Sequence, residues 1–191
     1  MEESIKSKYA VNYVDSGLPR WLIELAFVCL LIQAAINYTP VLHWMEDNAQ
    51  WARAIVQAFG PLVMYFGLMR GMRPLYRPFT YWWWAMIALN VAGFCTDLLP
   101  FLPYQIGLAV AVSLILVYLP FGMLLAVSYR GQLHLVGLWM ALYILISAIA
   151  PVLWFLLGAP DSGFVNATME ALTIGVIIIY AFVLRKILIA Q

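Results

Sequence analysis

The chain carries no charged residue between Asp97 and Arg130, and none between Arg130 and Asp161. Uncharged apolar runs of this length constrain the fold more than any other feature. In lipid every backbone N–H and C=O must be satisfied within the protein, so only helices and closed barrels can span it. Runs this continuous are not the alternating ten-residue strands of a barrel. Composition agrees, with 65% hydrophobic and 10% charged residues, against roughly 45–50% and about 25% in an ordinary soluble domain. About 124 of the 191 residues are apolar, enough for about six spans of roughly 20 residues each. No soluble domain of useful size is left over.

Short polar or proline-rich breaks divide the runs. They predict spans over Trp21–Tyr38, Ala54–Met69, Tyr81–Leu98, Gln105–Tyr129, Leu135–Leu157 and Gly163–Leu184. The expected fold is all-α: an integral membrane bundle of six transmembrane helices over residues 20–188, with a short cytoplasmic N-terminal tail over 1–19. The tail is too long and too mixed in charge for a signal n-region, so the first span is expected to be retained.

Orientation follows from the basic residues. With the N-terminus inside, Lys6, Lys8, Arg20, Arg70, Arg73, Arg77, Arg130, Arg185 and Lys186 share the inner side, and Arg53 alone lies opposite. The positive-inside rule then places both termini in the cytoplasm of a multi-pass plasma (inner) membrane protein. Glu46, Asp47, Asp97, Asp161 and Glu170 fall toward the outer side. Trp21 and Trp82–Trp84 near inner helix ends, with Tyr38, Trp44, Trp51 and Tyr104 near the outer surface, read as an aromatic belt.

The spans also pair as three hairpins whose second members end in Arg70, Arg130 and Arg185, with Pro61, Pro120 and Gly175 about half a span earlier. In the first members Gln33, Asn90 and Ser147 are each 57 residues from the next. Three αα-hairpin repeats would give this pattern, and so would six spans joined by short loops.

Ionisable groups deep in a membrane usually mark function, and the chain has none at mid-depth. Glu24, one turn in, is expected to pair with Arg20 or to snorkel. The uncharged polar residues, by contrast, gather in the outer half: Gln33 with Asn37 at i, i+4; Asn90, Gly93 and Asp97 at i, i+3, i+7; Asn166, Glu170 and Thr173 at i, i+4, i+7. Trp139, Tyr143, Ser147, Pro151 and Trp154 form a stripe on the fifth span. These patterns point to an outward-facing pocket with candidate ligand residues Gln33, Asn37, Asn90, Asp97, Tyr143, Ser147, Trp154, Glu170 and Thr173. Asp97 and Glu170 are expected at its mouth. Amides, ring faces and carboxylates together suit a small neutral or cationic organic solute. The same amides and hydroxyls equally serve as interhelical glue, each worth about 0.6–2 kcal/mol. Small residues four apart, Ala88 with Ala92 and Gly107 with Ala111, are expected at close helix contacts.

On the inner side Arg70, Arg73 and Arg77, stiffened by Pro74 and Pro78, are candidate contacts for anionic lipid or a cytoplasmic partner. Topology alone also calls for basic residues there. The net charge of +1 with no basic block argues against a nucleic-acid partner. No lysine inside a span offers a Schiff base. His43 and His134 are too far apart in depth to share a metal or haem. Cys29 and Cys95 differ in depth too much to pair. Neither a zincin motif, a nucleophile elbow nor a phosphate loop occurs. Neither a cofactor, a metal nor an enzymatic activity is therefore expected.

The leading reading is a polytopic protein that binds or transports a small solute. In length, span count and outer placement of polar residues, though in no motif, it is similar to the substrate-binding membrane subunits of vitamin uptake systems. That resemblance implies a separate energising module, with the arginine-rich loop as one contact. The alternative is a non-transporting membrane subunit, a sensor or assembly component, whose polar residues only pack helices. An enzyme acting on lipid or quinone through Asp97, Glu170 or His43 is a weaker third reading.

Overall fold

The computed structural model describes residues 10–72, 78–99, 103–150 and 163–189. The protein is all-helical, with 88% helix and no strand among the described residues. The helices are α1 (Arg20–Ile36), α2 (Thr39–Asn48), α3 (Gln50–Met72), α4 (Pro78–Leu98), α5 (Tyr104–Ser128), α6 (Gln132–Ile144) and α7 (Gly163–Leu188). A π-helical turn over Leu145–Ile149 continues α6. Proline marks several helix starts, with Pro19 before α1, Pro40 in the first turn of α2 and Pro103 before α5. There its missing N–H costs nothing and its fixed φ suits the helix. Pro61 and Pro120 lie inside α3 and α5, where neighbouring helices can absorb the freed carbonyls.

Among the described residues four helices are long and apolar enough to cross a membrane: Gln50–Met72, Gln105–Ser128, Gln132–Ile149 and Val165–Leu188. A fifth is gained if α1 and α2, bent by 102° at their junction, count as one broken span. Six were expected. The 17 residues of α1 are short for a span. In α4 the run Tyr81–Trp84 together with Asn90 and Asp97 lowers the mean hydropathy, although interfacial tryptophans suit headgroups better than a hydropathy index credits. The last third of the expected span Leu135–Leu157 lies outside the described residues.

The six long helices close into a ring. Each packs on its neighbours in chain order from α1 through α3, α4, α5 and α6 to α7, and α7 returns against α1. Short connections make antiparallel neighbours. The closing seam is charged: Arg185 on α7 donates from Nε and Nη2 to the two carboxylate oxygens of Glu24 on α1, both at 2.7 Å. Its guanidinium also lies 5.4 Å from the Phe27 ring, which meets Phe182 edge to face. Arg20 is 3.7 Å from Glu24, so the expected local partner is the lesser of the two.

Residues 10–19 run across the end of the ring that carries Arg20, Arg70, Arg130 and Arg185. Val11 donates its N–H to Arg130 O and accepts from Leu133 N, while Val14 donates to Ile187 O at 2.8 Å. Val14 and Ser16 are buried. Gly17, at φ +60°, lies so close to Arg70 that a Cβ there would sit 3.0 Å from its guanidinium.

Packing is tight at this arginine end; at the other, α1 and α3 stay buried at Ala34, Ile36 and Ala54 while α4–α7 are loose. Met64, Leu68, Met86, Phe121, Leu125, Met140 and Leu184 are completely buried. Along α4, α5, α6 and α7, burial stops at Met86, Tyr118, Ile144 and Val176, and no described residue from there to the far end is buried. Glycines follow the same division. A Cβ at Gly137 would come within 2.5 Å of the backbone of Ala126 and Gly122, whereas Gly93, Gly107, Gly163 and Gly175 have nothing described within 4 Å. The closest helix–helix approach at a glycine is therefore between Gly122 and Gly137, with Gly60 of α3 against Ala26 of α1 a looser second. Ala88 and Ala111 are instead exposed, because small-residue spacing marks a smooth face without saying whether another helix covers it.

Candidate functional site

Where the tight packing of α4–α7 ends, the six long helices line a half-open cavity of about 230 Å³. All six long helices contribute to its wall: Gln33 from α1, Pro61 and Tyr65 from α3, Asn90 from α4, Tyr118 from α5, Tyr143 from α6, and Ile177 and Tyr180 from α7. Ser147 and Ala148 reach it from the π-turn. An extra residue in a helical turn reorients the side chains that follow it, and such turns recur at functional sites.

The polar groups alternate around the ring. Amide or hydroxyl side chains come from α1, α4 and α6; buried tyrosines come from α3, α5 and α7. Asn90 Nδ2 donates to Met86 O at 2.7 Å and to the Tyr118 hydroxyl. Tyr180 donates to the Tyr65 hydroxyl at 3.2 Å. The Tyr65 and Tyr118 rings meet edge to face with centroids 5.8 Å apart. Ser147 Oγ donates to the Tyr143 carbonyl at 2.6 Å, one turn back along its own helix. Gln33 Oε1 is buried without a hydrogen-bond partner among the described residues, a condition that ordinarily costs about 1–3 kcal/mol.

Of the nine candidate ligand residues, Gln33, Asn90, Tyr143 and Ser147 line this cavity. The three residues spaced 57 apart in sequence are among these four. Asn37 instead folds back at the end of α1, donating from Nδ2 to Gln33 O at 2.8 Å. Thr173 donates to Met169 O within α7. Asp97 ends α4, where its carbonyl accepts from Gln50 Nε2 at 3.0 Å. Glu170 accepts from the Thr39 N–H at 2.6 Å and from Thr39 Oγ1 at 3.2 Å, so α7 caps the first turn of α2. Trp154, Arg73 and Arg77 lie outside the described residues, and Arg70 is exposed beside Gly17.

The tyrosines were not anticipated as a cluster, since a belt accounts for aromatic residues near helix ends. Depth could have separated them. Tyr65 and Tyr180 each sit five residues inside a terminal arginine, about 7 Å at the helical rise, where a phenol needs a partner.

The Glu170 contact predicts a local effect. Glu170→Ala should remove the N-terminal cap of α2 at a cost of about 1 kcal/mol. Amide hydrogen exchange within Thr39–Asn48 should accelerate while α7 stays protected. Unchanged exchange in α2 would show that the cap contributes nothing.

Among the described residues no group of three His, Cys, Asp or Glu side chains could hold a metal ion, and Cys29 and Cys95 are free thiols. At the far end Arg53 Nη1 bonds Glu46 Oε1 at 2.6 Å, and His43 Nδ1 lies 3.5 Å from the same carboxylate. Comparison with protein families, with curated proteins and with solved structures finds no match.

Proposed function

We propose that this is a six-span, multi-pass plasma-membrane protein that binds or moves a small neutral or cationic organic solute through this cavity. One observation carries the reading: polar side chains from all six long helices converge on a single cavity at the level where the tight packing of α4–α7 stops. The loosely packed half then serves as the approach from outside. In this reading the arginine end faces the cytoplasm, by the positive-inside rule, with both termini on that side. The arginines beyond α3 are placed to meet anionic lipid or a partner subunit.

The test uses thermal unfolding of the purified protein in detergent against a panel of small neutral and cationic organic compounds. A ligand at a hundred times its Kd should stabilise by about 2.7 kcal/mol. Gln33→Leu combined with Asn90→Leu should abolish the shift while leaving a folded protein. A shift that survives both changes, or its absence from the unaltered protein, would refute the proposal.

A second reading is favoured by the Asn90–Tyr118 and Tyr180–Tyr65 hydrogen bonds. It makes the protein a non-transporting subunit whose polar residues hold helices together. Under it the double substitution lowers stability and there is no ligand shift to lose.

A further inference from the structure

The solute class narrows once hydrogen-bonding capacity around the cavity is counted, an argument that rests on the cavity being a binding site. Asn90 spends both N–H bonds of its amide on Met86 and Tyr118. Ser147 and Tyr180 spend their hydroxyl protons on Tyr143 and Tyr65. The Gln33 carboxamide is different, with its oxygen buried and unpartnered among the described residues. A primary carboxamide presents an acceptor beside a donor, and rotation about its last torsion exchanges their places at little cost.

Charge complementarity points the same way. Among the described residues no charged side chain lines the cavity. The two carboxylates expected at its mouth do not line it: Glu170 caps α2, and Asp97 lies at the end of α4, away from the cavity wall. A cation entering the cavity would shed its hydration with no counter-charge to meet it, a cost that ring faces alone recover only in part. The walls are otherwise aromatic and aliphatic, and the volume exceeds the roughly 150 Å³ that accepts benzene.

We infer that the cavity selects an uncharged, flat molecule bearing an amide-type edge, N–H beside C=O, which pairs with the Gln33 carboxamide through two hydrogen bonds. Its body lies among the Tyr65, Tyr118 and Tyr143 side chains. Amides, lactams and cyclic ureas have this edge; amines, alcohols and carboxylates do not.

Benzamide, benzylammonium, benzoate and toluene share a ring and differ only at the edge, which makes them suitable probes. Apparent affinities come from thermal shift and intrinsic fluorescence titration of the full-length protein in detergent, at millimolar probe. Benzamide should bind at least about tenfold more tightly than the other three, as two net hydrogen bonds imply. Gln33→Met, similar in volume, should remove that advantage and leave toluene unchanged. Gln33→Glu should transfer the preference to benzylammonium, and retention of the ligand-free melting midpoint checks that each variant is folded. If benzylammonium binds the unaltered protein best, or if Gln33→Met leaves the ranking intact, the amide inference fails while the cavity stands as a binding site. If no probe binds, both readings fail.

Discussion

Gly137→Leu should prevent the bundle from assembling. A Cβ at this position would lie 2.5 Å from both Ala126 N and Gly122 O and 2.7 Å from Leu125 Cβ. The first two are main-chain atoms of α5, so no rotamer change relieves the clash and the two helices must separate. Overpacking that side chains can absorb costs about 1–3 kcal/mol. This contact exceeds that range against a total stability of about 5–15 kcal/mol. Size-exclusion chromatography should show loss of the monodisperse species. Gly107→Leu is the control: nothing described lies within 4 Å of Gly107, and exchanging a helical glycine for leucine gains up to about 1 kcal/mol of propensity. Equal damage from both substitutions would refute the close α5–α6 crossing.

Arg185→Leu should be the most damaging single change among the charged residues. It leaves Glu24 without its two 2.7 Å hydrogen bonds, with only Arg20 nearby at 3.7 Å and 74% exposed. Both members of the Glu24–Arg185 pair are about one-third exposed. The loss should therefore fall between the ~0.2–1 kcal/mol of a surface pair and the ~3–5 kcal/mol of a buried one. Two results separate the pair from simple packing. Exchanging the charges, Glu24→Arg with Arg185→Glu, should recover much of the loss. Glu24→Leu with Arg185→Leu should be milder than Arg185→Leu alone, because no carboxylate is stranded. Thermal unfolding of the unaltered protein, Glu24→Leu, Arg185→Leu and the double leucine variant forms the cycle, and strictly additive losses would show that the two side chains do not couple.

What could be read in advance divides by physical range. Long-helix positions follow from local properties, and uncharged runs, prolines at helix starts and terminal arginines located the described parts of the six long helices within a few residues, whereas α2 was not foreseen. Gln33, Asn90 and Ser147 could be nominated for one cavity from their place in the outer halves of their helices, although Glu170, nominated with them, binds Thr39 instead. Contacts between residues far apart in the chain left no such trace. Glu24 and Arg185 are separated by 161 positions, so only the local i+4 partner Arg20 was visible. Glu170 illustrates the same limit, since sequence sets how deep a carboxylate sits but not whether it faces a solute or the N-terminus of another helix. Segment 10–19 has no periodic apolar pattern and was read as a tail. Val14 in its middle is nonetheless among the core residues, held by backbone hydrogen bonds that any sequence can make.

That segment also sets an order of events in biosynthesis. Residues 10–19 are translated before α1–α7, yet their partners include Arg130 between α5 and α6 and Ile187 at the end of α7. Until the last helix has been made, the hydrogen bond from Val14 has nowhere to go. Segment 10–19 can meet Arg130 and Leu133 once α6 begins, but its docking is finished only with α7. Its full docking then reports that the ring is complete, and a molecule stalled after α6 would be recognisable by a half-docked leading segment open to proteolysis.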